Sequence, residues 1–274
     1  MVTNNIPSVR PFEFESYGVH VQITGNDQQI VDAAVKVATR SLLNDVRPSK
    51  SKQFDDIFEF NIEDDGTIYM IQNGEAVGWE KVPEYLFKHF DSLIRATVAE
   101  DAVDRVFIHA GAVGWKGKAI VMPADSFQGK TTLVAELVRN GADYYSDDYA
   151  IFDLNGLMYP FPRTLTMRAD DESHTGFEVT AEELGGEVGS AAIPVGTVLF
   201  TGYDPAATWQ PKLLSAGTGV LEMIPYTFSF RERPDFSLPV LNNIASRAII
   251  LFSQRGSAEE FAKTFLNFVD KHVN

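Results

Sequence analysis

Gly129-Lys130-Thr131 stands at the head of an amphipathic run, and one apolar segment later come the adjacent acids Asp147-Asp148. An ammonium, a hydroxyl and carboxylates in this order are the groups that phosphoryl transfer uses. The ammonium reaches the β- and γ-phosphates, the hydroxyl sits on Mg²⁺, and a carboxylate serves metal or proton. Ala124-Asp125-Ser126-Phe127-Gln128-Gly129-Lys130-Thr131 fits the phosphate-loop pattern G-x-x-x-x-G-K-[ST] except at its first position, where Ala124 replaces Gly. Gly permits positive φ and close backbone approach, so the Ala124 Cβ is expected to crowd the turn. With Thr132, the next residue, these positions form the candidate nucleotide-binding set.

The flanking elements suit the chemistry. Ala119-Ile120-Val121-Met122 predicts a short buried strand. Behind the loop, Leu133, Val134, Leu137 and Val138 share one helical face, and Gly141 follows as a C-cap signal. A strand, loop and helix in this order aim backbone N–H groups at phosphate oxygens. Tyr144 to Phe152 predicts one strand rich in aromatic and branched residues. Side chains alternate along a strand, so Asp147 and Asp148 cannot share one role unless the strand ends there. One would face the nucleotide as metal ligand or base, and the other would orient a neighbour. Charge inside an apolar strand needs a cationic partner, which Mg²⁺ or Lys130 could supply.

The order of these residues resembles the HPr serine kinase/phosphorylase family and its kinase-like relatives. His109-Ala110-Gly111-Ala112-Val113 is similar to the family's H-G-V-L-V strand, and residues 124–131 to its G-D-S-G-x-G-K-S loop. Gly141 ends the helix, and Asp147-Asp148 match the family's D-D. Pro160-Phe161-Pro162-Arg163-Thr164-Leu165-Thr166-Met167-Arg168 looks like the relatives' P-x-P-R-x-[LI]-x-[LM]-[KR] stretch. The likeness covers residues 105–170, with weaker agreement beyond. Ala124 and Phe127 replace two loop glycines, and the family's L-E-x-R-G-x-G-I signature is absent. This departure points to a diverged kinase whose acceptor is not HPr.

The resemblance implies an α/β fold with a P-loop kinase core of the HPr kinase / phosphoenolpyruvate carboxykinase type. It implies ATP as donor, Mg²⁺ as cofactor, and transfer of the γ-phosphate to a serine hydroxyl of a peptide or protein, such as a precursor peptide. Carried over, either acid is the base, with Asp147 favoured as the first of the pair. Thr131 and Asp148 become metal ligands, and His109 lies beside the reacting groups. Arg163 and Arg168, in the resembling stretch, become candidate substrate or phosphate contacts, and Arg231 and Arg233 are further candidates. The family's rings imply a homo-oligomer. Two other classes remain open: a nucleotide-binding regulator or scaffold without transfer activity, and a kinase of a small molecule.

Composition bounds the partners. The chain has 274 residues, 45% hydrophobic, and a formal charge of −15. Such acidity opposes nucleic-acid and anionic-membrane binding, which require clustered Lys and Arg. It also means that a nucleotide must be drawn in by a local positive site. No cysteine is present, which excludes a thiolate zinc site, and His20, His89, His174 and His272 form no metal-ligand spacing. No basic leader and apolar segment opens the sequence, and no apolar run approaches membrane-spanning length, so a cytoplasmic protein is expected.

Apolar periodicity predicts a small α+β domain over residues 1–78 and a nucleotide-binding domain over 79–274. The first holds a strand at 12–24, a helix at 30–43 after Asp27, and a hairpin at 58–62 and 68–71. A helix at 82–97 is assigned to the second domain. Strands at 195–203 and 248–253 then alternate with helices at 219–227, 238–246 and 258–272. The polar, Gly-rich stretch 170–189 predicts a lid, with Glu172 a possible metal ligand.

Overall fold

The computed structural model describes residues 9–125, 128–168 and 176–273. Ser126, Phe127, Glu172, His174 and the Arg168 side chain, all singled out above, lie outside what is described. The protein is a mixed α/β chain in two compact units, Met1–Asp104 and Arg105–Asn274. Among the described residues no helix is long and apolar enough to cross a membrane.

The first unit contains β1 (Phe12–Ser16), β2 (Val19–Gly25), α1 (Gln28–Ser41), β3 (Arg47–Pro48), β4 (Asp56–Ile62), β5 (Ile68–Gln72), β6 (Glu75–Glu80) and α2 (Pro83–Asp101). Its sheet runs β3-β1-β2-β4-β5-β6, with only β2 and β4 parallel, as the crossover through α1 requires. The Asp27 carboxylate caps α1 by accepting from the N–H groups of Gln29 and Ile30. The 12–24 segment is two strands rather than one. Tyr17 and Gly18 both adopt positive φ, 49° and 79°, and reverse the chain as a tight hairpin turn. The break between units also differs from expectation, falling after α2 instead of before it. Leu86, Phe90, Ile94 and Val98 of α2 share one buried core with Phe14, Phe58 and Phe60 of the first sheet.

The second unit contains β7 (Val106–Trp115), β8 (Lys118–Pro123), α3 (Lys130–Arg139), β9 (Asp143–Ser146), β10 (Tyr149–Phe152), β11 (Leu157–Tyr159), β12 (Leu165–Arg168), β13 (Gly176–Val179), β14 (Ile193–Tyr203), β15 (Lys212–Leu213), α4 (Ala216–Met223), α5 (Pro234–Ala245), β16 (Ile249–Arg255) and α6 (Ala258–His272). The main sheet runs β11-β10-β7-β8-β14-β16-β15, and β9 also pairs with β7. The central strands β8, β14 and β16 are parallel and strongly apolar, because helices cover both of their faces. Helices α3 and α6 bury one face around Leu137, Leu199 and Phe265. The other face meets α4, α5 and the short turns at Ile224–Tyr226 and Phe228–Phe230.

The predicted strand at 144–152 is interrupted. Strands β9 and β10 both lie antiparallel on β7, with Ser146 opposite Ala112 and Tyr149 opposite His109 in one register, and a bulge shifts β9 between Ser146 and Tyr144. Asp147 and Asp148 between them leave the strand conformation. The predicted lid also differs in its described part. Residues 176–179 pair with β12, and residues 187–189 bracket Tyr144, whose N–H donates to the Glu187 carbonyl and whose carbonyl accepts from Gly189.

Candidate active site

The site forms where β8 ends and α3 begins, beside the break between β9 and β10. Parallel strands leave this carboxyl edge open to ligands. Ala124 is buried with 5% exposure, and its φ is not positive. Ala124 itself therefore carries no left-handed backbone strain. Gly129 is the position that needs Gly. It caps α3 at φ 77°, and a Cβ there would stand 2.8 Å from Arg255 Nη2. Within the loop, Gln128 Nε2 donates to Asp125 Oδ2 at 3.4 Å.

Lys130 opens α3, and its stem packs beside β7 at Gly111. A Cβ on Gly111 would meet Lys130 Cγ at 3.1 Å and Val134 Cγ2 at 2.6 Å. The Lys130 ammonium is buried and has no hydrogen-bond partner among the described residues. Burial pulls its pKa below the usual lysine range, while Asp148, Asp147 and Asp125 pull the other way. Its neighbour Thr131 donates from Oγ1 to Asp147 Oδ2 at 3.2 Å. Thr132 is exposed to solvent.

The strand break decides how the two acids point. The Ser146 hydroxyl accepts from the N–H groups of Asp148 (3.2 Å) and Tyr149 (3.1 Å), turning the chain between the strands. Strict alternation no longer applies, and both carboxylates reach the same region. Asp147 faces the loop: Oδ2 accepts from Thr131, and Oδ1 lies 3.3 Å from the Tyr144 hydroxyl. Asp148 faces β7, with Oδ1 3.8 Å from His109 Nε2. Burial, and then the Lys130 charge, hold the His109 imidazole below its ordinary pKa, against Asp148 and Asp125.

Arg163 enters the site through its backbone, where its carbonyl accepts from the Tyr144 hydroxyl at 2.6 Å. Arg231 has a 93% exposed side chain and pairs with Glu232, while Arg233 stacks on Phe236, 4.8 Å from the ring centre. Arg255, at the end of β16, meets the loop through its side chain. It is 2% exposed, donates from Nη2 to the Gly129 carbonyl (2.9 Å) and from Nη1 to the Gly256 carbonyl (3.1 Å), and leaves Nε without a protein partner among the described residues. Sequence reasoning missed both Tyr144 and Arg255. The available signal for Arg255 was a basic residue ending an apolar strand at the edge where β8 runs into α3.

Arg255→Gln is expected to destabilise the protein by about 2 kcal/mol, because the Gly129 carbonyl loses a charged donor in a buried site. Urea unfolding measures this; a change below about 0.5 kcal/mol would fit a surface contact instead. Asp147 gives a pH signature. Burial and the neighbouring Asp148 raise its pKa from 3.8 to about 6, although Thr131, Lys130 and Tyr144 lower it. The native chain thus holds a proton in that window which the unfolded chain has lost. The stability from this group is full below pH 3.8 and is lost as pH rises through about 6, by at most about 3 kcal/mol. Asp147→Asn should flatten this part of the stability–pH curve, and an unchanged slope would contradict the burial of the carboxyl.

Among the described residues no three His, Asp or Glu side chains gather to hold a metal ion alone. The Thr131–Asp147 contact fits a different kind of site. Mg²⁺ is commonly held by one or two protein oxygens together with substrate phosphates. The comparison with protein-family models matches none of them, and that with curated proteins returns no significant match.

Proposed function

We propose that the chain is an ATP-dependent kinase, a diverged member of the HPr kinase-like group with its P-loop kinase core in the second unit. It would transfer the γ-phosphate to a serine hydroxyl of a peptide or protein. The observation that carries the reading is the Lys130 ammonium, buried at the head of α3 without a hydrogen-bond partner among the described residues. Burying a cation is costly unless an anion meets it, and a nucleotide phosphate approaching the N-terminus of α3 would be that anion. The serine acceptor rests on the sequence resemblance.

The chemistry needs few parts. Lys130 and the N–H groups at the start of α3 bind the phosphates and stabilise charge that spreads over the transferring group. Thr131 and Asp147 would hold Mg²⁺, whose charge, when bound, offsets that of the β- and γ-oxygens. The acceptor hydroxyl oxygen bonds to the γ-phosphorus as the bond to the bridging oxygen breaks, and ADP leaves. The hydroxyl proton passes to a carboxylate. We assign that role to Asp148, exchanging the roles inferred from sequence order. Asp147 Oδ2 already accepts from Thr131 on the loop side, whereas Asp148 stands beside His109. His109 is a positioning residue, its pKa lowered by burial and the Lys130 charge.

The test is incubation with Mg²⁺ and γ-labelled ATP, with and without a peptide extract. Label in peptide or protein supports the proposal. Label in a small solute moves the acceptor to another class. Absence of turnover, with nucleotide still bound, makes the chain a regulator or scaffold and overturns the kinase reading.

A further inference from the structure

The geometry points to a second ligand site at the other end of β8: a pocket for a small carboxylate on a flat apolar body, lined by Trp115, Lys118, Thr197 and the last turn of α6. This goes beyond the kinase reading and does not depend on it. The cavity has a volume of about 230 Å³. An apolar cavity of about 150 Å³ already accepts benzene, so a single ring with a carboxylate fits in size.

The pocket follows from local structure. Strand β14 lies parallel to β8 with a bulge at Gly196, between the Val195–Ala119 and Thr197–Ile120 pairs. A Cβ at Gly196 would come within 2.9 Å of Lys118 Cβ and of Val273 Cγ1, so the bulge draws strand and helix end close together. The bulge also turns Thr197 to the α6 side of the sheet, the side on which Ile120 is buried. Thr197 is fully buried, and its hydroxyl has no partner among the described residues. A buried hydroxyl without a partner is costly, and here it lines the cavity.

The rim is preorganised. The Asp270 carboxylate accepts from Trp115 Nε1 at 2.7 Å and pairs with Lys116 Nζ at 2.6 Å. Both oxygens are thereby engaged, which fixes the indole ring and commits the Lys116 charge. Lys118 also lines the cavity, half-buried, and forms no ion pair among the described residues. In a chain of formal charge −15, a cation left without an ion pair in a pocket shared with Trp115 and the apolar walls Ile120, Val269 and Val273 favours an anion with a hydrophobic body.

Benzoate is the probe, with benzamide as its neutral isostere and inorganic phosphate as an anion without a ring. The readout is the Trp115 indole N–H resonance, assigned through Trp115→Phe. Benzoate should shift it saturably, with an affinity near millimolar, and benzamide and phosphate should each bind at least about tenfold more weakly. Lys118→Ala and Thr197→Val should each weaken benzoate at least about tenfold. The valine keeps the threonine shape and removes only the partnerless hydroxyl, so the fold is retained. No saturable shift up to about 10 mM, or equal affinity in both variants, would show a hydrated crevice and overturn the proposal.

Discussion

Lys130→Met is expected to lower phosphoryl transfer by about two to three orders of magnitude while leaving the fold as stable as the parent or more so. The two effects have opposite signs because they have one cause. In the free protein the ammonium is buried without a hydrogen-bond partner among the described residues, so its removal relieves a desolvation cost. Methionine keeps most of the stem that packs by Gly111 and Val134. In the loaded site the same charge would neutralise the β- and γ-phosphates as the bond breaks. Arg255 is held by the Gly129 and Gly256 carbonyls, and burial lowers the pKa of His109. Urea unfolding and a single-turnover assay on one preparation measure both. Near-parental transfer would remove the basis of the phosphate-loop reading. Loss of stability by more than about 1 kcal/mol would mean that the ammonium already has a partner.

Sequence reasoning matched the structure where the signal is local. A strand, β8, precedes residues 124–129 and a helix, α3, begins at Lys130, α1 starts at its Asp27 cap, and α6 spans Ala258–His272 as its periodicity predicts. It failed where the decision is made across space. The strand over Tyr144–Phe152 looks continuous because the apolar pattern stays in step across the two acids; only the Ser146 turn reveals the break. The hairpin at Tyr17–Gly18 lacks the usual Asn-Gly or Asp-Gly signal, and Tyr17 adopts positive φ because the paired strands require it. Periodicity shows that α2 buries one face, not which sheet receives it. The Arg255–Gly129 contact joins residues 126 apart in the chain, a relation no local pattern encodes.

Asp147→Asn and Asp148→Asn are expected to fail in different ways, and the difference tests the role exchange proposed for the pair. In Asp147→Asn, Thr131 keeps a hydrogen-bonding neighbour but loses the anionic oxygen, so the Mg²⁺-dependent part of nucleotide affinity should fall by about tenfold or more. In Asp148→Asn, Mg²⁺–ATP should bind within about twofold of the parent, while transfer should drop by about two to four orders of magnitude for want of a proton acceptor. Both asparagines preserve size, and the Ser146 turn that directs the two residues uses backbone N–H groups, which neither change disturbs. Titration of ATP with and without Mg²⁺, followed by single-turnover transfer, separates affinity from chemistry. If the two failures occur in the opposite residues, the order inferred from sequence resemblance is restored, with Asp147 as base. If both variants transfer at the parental rate, the acids only solvate a strand break, and the kinase reading loses its proton acceptor.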